Sequence, residues 1–157
     1  CLGATKCGAL CAELVIFFNK ELAKTFTHRR KRGGHLLSKG RVFGAQMVGW
    51  LQDDHWLELA NQANTQAAKL AETINGIDGL QLVWPVESNE LFVVVPKDMA
   101  NYLRDAGAEF YDWYVDTLPP NVTLKDDQQF LRLVTSFATQ DSHRQQFCES
   151  IRSYFIT

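Results

Sequence analysis

The clearest pattern along the chain is an apolar stripe between residues 55 and 75, at steps of three and four positions, which is the spacing of one face of an α-helix. Its members are Trp56, Leu59, Ala60, Ala63, Ala67, Leu70, Ala71 and Ile74. Asp53-Asp54 stands at its start, and Gly76 and Gly79 follow it as stop signals. The pattern predicts one long helix whose alanine-rich face packs closely against another element.

After Gly79 the pattern changes to short apolar runs that are closed by turn residues. Strands are predicted at residues 80–84, 91–95, 110–115 and 130–137, and helices at 97–106 and 141–155. Together with the long helix, they predict a small α+β domain over residues 55–157. We expect its sheet to be antiparallel or mixed, with helices on one face.

The first part of the chain predicts only one strand, the apolar run at residues 12–18, which we expect to be buried. Asn19 is expected to cap a helix that ends at Gly33-Gly34, and a second helix is predicted at 42–52. A single buried strand needs neighbours on both edges, and residues 1–54 do not contain them. We therefore expect residues 1–54 to be the incomplete end of a larger α/β domain.

Composition and charge narrow the class of protein. The chain is 46% hydrophobic and 22% charged, and no apolar run approaches the ~20 residues of a membrane span, so we expect a cytoplasmic protein. Residues 22–52 hold seven of the sixteen basic residues and no acidic one. This local positive charge suggests a small anionic ligand or a subunit contact. A nucleic-acid or partner-binding module on residues 28–41 is a rival, which the acidic remainder of the chain opposes.

The four cysteines, at positions 1, 7, 11 and 148, do not have the spacing of a structural zinc site. No pair of histidines completes such a site either. We therefore expect no bound metal, and free thiols in a reducing compartment.

Lys6 is a candidate for chemistry because it lies in the Gly-rich segment GATKCGA, just before the predicted strand. Glycines let the backbone approach a ligand, and Thr5 offers a hydroxyl to an anion. A lysine among apolar neighbours loses some preference for its charged form, which suits an amine that forms a Schiff base. The alternative is an inert, solvated lysine.

Several linked segments resemble the threonine aldolase and β-eliminating lyase family of pyridoxal-phosphate enzymes. They are GATKCGAL with AELVIFFN, HRRKRGGHLLSKGR, AQM with WLQDD, ESNELF at 87–92 and RLVTSF at 132–137. The resemblance is closest to the phenylserine-aldolase-like branch. It implies the C-terminal part of an aspartate-aminotransferase (type I) fold, with pyridoxal 5'-phosphate as cofactor. It also implies a homotetramer of intact subunits with active sites at subunit contacts.

The resemblance also implies roles for individual residues. Lys6 would hold the cofactor, with Thr5 beside its phosphate or ring. Arg132 would bind the substrate α-carboxylate through its planar fork of donors; an edge-strand or ion-paired arginine is the structural alternative. Asn89 would line the same cleft, with an ordinary turn residue as the alternative, and Lys31 would lie near its entrance.

The segment from Gly33 to Arg41 resembles the part of the family that reaches a neighbouring subunit's phosphate. Better-known members carry an arginine where this sequence has Ser38. We expect Lys39 or Arg41 to take its place. The alternative for the basic run is a solvated helix end, where cations are favourable.

The reaction that the resemblance implies is cleavage of threonine, allo-threonine or phenylserine to glycine and an aldehyde. In the family, the ring-stacking histidine, the acid at the pyridine nitrogen and the main phosphate loop precede the lysine that corresponds to Lys6. We therefore expect the chain to need an N-terminal part of the same subunit and to be inactive alone. The rival reaction is β-elimination from tryptophan or tyrosine, which gives pyruvate and ammonia.

Overall fold

The computed structural model describes residues 1–156, and these divide into two compact units. The first unit is Cys1–Leu59, and the second begins at Ala60, within the long helix. The expected boundary at residues 54–55 lies close to this division. The assignment of the two parts to a large and a small domain stays a prediction.

The first unit contains two short strands and three helices before the long helix begins. They are β1 (Leu2–Gly3), β2 (Glu13–Leu14), α1 (Lys20–Ala23), α2 (Phe26–Arg32), α3 (Gly40–Leu51) and the start of α4 (His55–Asn75). The two strands pair antiparallel. As expected, Asn19 caps α1, since its side-chain oxygen accepts a hydrogen bond from the Glu21 amide at 2.9 Å. The predicted helix after Asn19 is broken into α1 and α2.

The prediction of a buried strand at residues 12–18 is wrong. Only Glu13–Leu14 is a strand, and three of the four apolar side chains that follow are exposed, namely Val15 by 45%, Ile16 by 51% and Phe18 by 97%. The physical reason is that a buried strand needs neighbouring strands on both edges. β2 has only the two-residue β1 beside it, so its second edge has no strand in the described unit, and most of the run after it stays exposed.

The second unit alternates strands and helices as the apolar runs predict. It contains most of α4, then β3 (Gln81–Leu82), β4 (Glu90–Pro96), α5 (Lys97–Asp105), β5 (Tyr111–Asp112), β6 (Gln128–Val134) and α6 (Asp141–Tyr154). The sheet order is β3-β4-β6-β5 with antiparallel neighbours, which confirms the predicted α+β arrangement. The strands predicted at 80–84 and 110–115 are shorter, because Val83, Trp84 and Trp113 turn into an aromatic cluster instead.

The two faces of this sheet are covered differently. The face with Leu91, Val93 and Leu131 packs against α4, α5 and α6 in the main core. The opposite face carries Val94 and Phe130, which are 1% exposed. Loop residues cover it, namely Val83, Trp84, Trp113, Leu118, Val122 and Leu124. The helices therefore lie on one face, as predicted, and an aromatic layer lies on the other.

A polar link that the apolar stripe does not predict joins α4 to α6. Gln66 is only 2% exposed, and its side-chain amide nitrogen donates to the Asp141 carboxylate at 3.3 Å. The Arg144 guanidinium donates to the Gln66 oxygen at 3.1 Å and to Asp141 at 3.2 Å. Lys69 adds a longer contact to Asp141 at 3.4 Å. Asp141 therefore gathers three donors at the start of α6.

We expect Asp141→Asn to lower the melting temperature at neutral pH. Arg144 above all, then Gln66 and Lys69, hold the pKa of Asp141 below its usual 3.8. A carboxylate whose pKa is lowered by folding stabilises the protein above its unfolded pKa, and this contribution is lost as the pH falls through the folded value. The difference from wild type, followed by thermal unfolding from pH 7 downward, should therefore shrink below about pH 3.8.

Asp116→Asn is the control, because Asp116 is an exposed carboxylate in a surface turn. Its melting temperature should follow that of wild type across the pH range. A pH-independent loss in Asp141→Asn would mean that packing, and not charge, joins the two helices.

Among residues 1–156, none of the helices combines the length and the apolar content that a membrane crossing requires. The four cysteines are free thiols. Within the same described residues, no three or more His, Cys, Asp or Glu side chains are grouped so that they could hold a metal ion.

Candidate functional site

Lys6 lies on a tight 3₁₀ turn, Thr5–Cys7, in which the Thr5 and Lys6 side chains are exposed. The turn is closed by hydrogen bonds from the amides of Cys7 and Ala9 to the Ala4 carbonyl, at 3.1 and 3.0 Å. Gly8 ends it with φ of 104°, a conformation that favours glycine. A Cβ atom at Gly8 would also lie 2.8 Å from the Leu59 side chain.

Two side chains of α3 hold this turn in place. The Trp50 indole nitrogen donates to the Cys7 carbonyl at 2.8 Å. The Gln46 side-chain oxygen accepts from the amides of Leu10 and Cys11, at 2.9 and 3.1 Å. Gln46 and Trp50 are one helical turn apart, so a single face of α3 fixes the backbone on the C-terminal side of Lys6.

Sequence reasoning did not single out Gln46 and Trp50. Both lie in the segments AQM and WLQDD that carry the family resemblance, but no role was assigned to them there. The available signal was a polar residue four positions before a tryptophan, in a stretch of the helix that is otherwise apolar from Val42 to Leu51. That signal predicts a partner for each polar group, without saying which one.

The predicted phosphate and entrance cations lie in the same unit as Lys6. Lys31 lies in the last turn of α2, Lys39 directly precedes α3, and Arg41 is in the first turn of α3. All three are exposed. Residues 1–59 contain nine basic and five acidic residues, a net charge of +4 with neutral histidines, whereas the rest of the chain carries −6. The unit with Lys6 therefore carries a net positive charge, which favours an anionic ligand.

Arg132 lies at the middle of β6, with β4 on one side and β5 on the other. Its cross-strand neighbours are Phe92 and Tyr111, and they share its face of the sheet. The guanidinium stacks over the Trp113 ring, 4.8 Å from the ring centroid. One terminal nitrogen of Arg132 donates to the Glu90 carboxylate, and the arginine side chain is 21% exposed. The ion-paired arginine raised as the structural alternative is thus what the structure shows.

One donor of this guanidinium is left over. The Nε atom of Arg132 is the one side-chain nitrogen or oxygen in the described chain that is buried without a hydrogen-bond partner. A buried, unpaired donor on a charged group is costly. Arg132 also lines an open cavity of about 490 Å³, together with Arg104, Tyr111 and Val134. The arrangement can accept a small anion with one or two oxygen atoms.

Asn89 lies at the end of the β4–β6 ladder, where it is hydrogen-bonded to Thr135. Its side-chain nitrogen donates to the Thr135 carbonyl at 2.7 Å, and its own carbonyl accepts from the Thr135 amide at 2.9 Å. The Thr135 hydroxyl in turn donates to the Ala63 carbonyl at 2.7 Å. Asn89 therefore closes the sheet next to Glu90, and its contact with a substrate stays a prediction.

The structure thus places the predicted residues in three groups. Thr5 and Lys6 share one turn, and Lys39 and Arg41 share the start of α3, whereas Lys31 stands by itself in the last turn of α2. Asn89 and Arg132 share the β4–β6 ladder.

Comparison with known proteins gives the chain a family. It is 42% identical over 111 residues to the low specificity L-threonine aldolase of Pseudomonas aeruginosa, which covers 71% of this chain and 32% of that protein. The structure matches the threonine aldolase of Leishmania major with a TM-score of 0.74 and 28% identity, over 88% of this chain and 37% of that one. The chain belongs to the threonine aldolase family.

A more distant neighbour shows the fold alone. The NifS-like protein of Rickettsia africae matches with a TM-score of 0.58 at 11% identity, over 74% of this chain and 34% of that one. These neighbours are pyridoxal-phosphate enzymes of fold type I, which confirms the fold expected from the resemblance. No family model matches the chain.

As a member of the threonine aldolase family, the chain spans about a third of the length of the curated relatives that it matches. The family expected from the linked segments is confirmed. The roles of Lys6, Thr5, Lys31, Lys39, Arg41, Asn89 and Arg132 stay predictions.

Proposed function

We propose that this chain is part of an enzyme that cleaves a β-hydroxy-α-amino acid, with threonine as the simplest substrate, to glycine and an aldehyde. The observation that carries the proposal is Lys6, exposed on a clamped turn, in a chain 42% identical to an L-threonine aldolase. Allo-threonine and phenylserine belong to the same proposed substrate class, because they share the amino, carboxylate and β-hydroxyl groups.

The described residues fit pyridoxal phosphate and an amino acid in the chemistry of their donors. Lys6 offers a primary amine on a turn that Gly8 and Trp50 fix, and Thr5 offers a hydroxyl beside it. Arg132 offers a buried donor that no protein group uses. When bound, pyridoxal phosphate supplies the electron sink that stabilises the carbanion left by Cα–Cβ cleavage.

In this proposal each residue has a physical task. The Lys6 amine would hold the cofactor covalently, at the place where the substrate amine would bind. Lys39 and Arg41, beside the N-terminal end of α3, attract the phosphate, because cations and a helix N-terminus both favour an anion. Arg132 holds the α-carboxylate and so fixes the orientation of the Cα bonds, which selects the bond that breaks. Lys31 lies at the entrance.

We also propose that the active protein is longer than this chain. The exposed apolar residues after β2 support this view, because they need a neighbouring strand, and so does the length of the relatives. In the proposed enzyme an N-terminal part of the same subunit completes the site. The active form is a cytoplasmic homotetramer, and the 157-residue chain alone does not retain the cofactor.

The test is reduction of the intact subunit with borohydride in the presence of pyridoxal phosphate, followed by peptide mass mapping. We expect a phosphopyridoxyl adduct on the peptide that contains Lys6. No adduct there, in folded protein with the cofactor in excess, would refute the proposal. Product analysis then separates the two reactions, since the aldolase releases glycine and an aldehyde, whereas β-elimination releases pyruvate and ammonia.

A further inference from the structure

Glu90 is the charged residue in ion-pair contact with the proposed carboxylate anchor. It is the first residue of β4 and lies on the Arg132 face of the sheet, diagonally across from Arg132, because its direct partner in the register is Val134. Its carboxylate accepts a hydrogen bond from the guanidinium, although 42 residues separate the two positions. The Glu90 side chain is 26% exposed. Both charges are therefore largely withdrawn from water. Removing either one would leave the other charge partly buried without its partner.

The pair does not use every donor of the arginine. Glu90 contacts one terminal nitrogen of Arg132, and the Nε atom keeps its donor unused. Trp113 lies beneath the plane of the guanidinium, 4.8 Å from its central carbon. A contact at one corner and a ring below one face fix both the position and the tilt of the group. A flexible arginine would otherwise lose conformational entropy each time that it bound a ligand.

We propose that Glu90 is a positioning residue, which holds Arg132 ready for the substrate α-carboxylate. The inference rests on the proposed function, since it assumes that Arg132 binds this carboxylate. Before substrate arrives, Glu90 balances the arginine charge beside the aromatic layer. When substrate arrives, its carboxylate takes the unused Nε donor and a neighbouring terminal N–H, while Glu90 keeps its corner. Binding then requires no search for the correct arginine conformation.

The test is calorimetric binding of two probes to the intact subunit loaded with pyridoxal phosphate. Glycine carries the α-carboxylate, and methylamine has the same amine without it. We expect Glu90→Ala to weaken glycine about tenfold, the order of one oriented contact, and to leave methylamine unchanged. In turnover, the same variant should raise KM by a similar factor with little change in kcat. Glu90→Gln, whose side-chain oxygen still accepts the bond, should restore glycine binding to within about threefold.

Two further variants keep the test decisive. Glu90→Asp retains the charge but shortens the reach, so it should weaken glycine even if the alanine variant does not fold. Glu87→Ala is the matched control, because Glu87 is an exposed glutamate in the loop just before β4. It should bind both probes as wild type does.

The outcomes separate the two claims. If Glu90→Ala binds glycine as wild type does, binds it more tightly, or loses both probes equally, then Glu90 is not a positioning residue. If Arg132→Ala leaves glycine binding unchanged, then the proposed carboxylate site itself is wrong. Loss of glycine binding in Arg132→Ala with no effect at Glu90 overturns this inference alone.

Discussion

Replacing Lys6 by alanine in the intact subunit should abolish cofactor attachment and lower kcat by about 10²- to 10⁴-fold, the usual contribution of a positioned catalytic amine. The reason is that Lys6 is the one residue proposed to hold the cofactor covalently, at the place where the substrate amine would bind. The turn beneath it is held by backbone groups and by Trp50, which the substitution leaves in place. The variant should therefore stay folded. Absorbance of the bound cofactor and initial rates measure the two effects.

Lys20→Ala is the control for this experiment, since Lys20 is an exposed lysine in the first turn of α1. Its spectrum and rates should match those of wild type. A Lys6→Ala subunit that keeps both a covalent cofactor and its rate would show that another lysine carries the chemistry, and the family role assigned to Lys6 would be wrong.

Phe130→Ala should destabilise the chain by about 3–5 kcal/mol, the range for truncating a buried phenylalanine. Phe130 is 1% exposed and lies in the aromatic layer, with its ring centroid 5.9 Å from that of Trp84 and 6.3 Å from that of Phe92. The loop residues that cover this face pack against the same rings. They therefore cannot easily move in to fill the cavity that the substitution would leave. Urea unfolding, followed by tryptophan fluorescence, measures the loss.

Phe137→Ala is the comparison for that measurement. Phe137 follows β6 and is 38% exposed, so its truncation should change the free energy of unfolding by no more than about 0.5–1 kcal/mol. Equal losses at the two positions would mean that the burial of Phe130 in the aromatic layer does not determine its contribution to stability.

The second unit could be predicted from sequence because its folding signals are local. The stripe of α4 repeats at helical spacing, and five of the six buried positions of this helix belong to it. The exception, Gln66, is polar and is buried only because Asp141 and Arg144 supply partners 75 and 78 residues away. Hydrophobic periodicity registers burial and cannot register a distant partner.

The first unit was predicted less well for the opposite reason. An apolar run such as residues 12–18 indicates what the segment can cover, but a strand forms only where another strand supplies hydrogen bonds. Here β1 supplies them for Glu13 and Leu14. The apolar run therefore indicated correctly that the segment favours an extended, buried conformation, but the prediction that the whole run forms a strand was wrong.

The candidate site falls between these cases. An arginine in an apolar strand must find a partner, and that much follows from the cost of a buried charge. Which carboxylate the arginine contacts depends on the register of β4 against β6. Glu90 reaches Arg132 only in the register that places Phe92 opposite Arg132. The same limit applies to the hold of Trp50 on the Lys6 turn, which requires α3 to lie against that loop.

The order of strands in the second unit governs how it can fold. β6 is the last strand along the chain, yet it lies between β4 and β5, and β5 has no other strand beside it. Until residues 128–134 are in place, β4 can pair only with the two-residue β3. Such long-range pairing makes folding slow and cooperative, since the entropy of closing the loop is lost before any contact compensates it. Arg132 belongs to that same strand. A nascent or truncated unit without β6 therefore lacks the arginine altogether, and no partly formed version of the Arg132 site precedes the complete one.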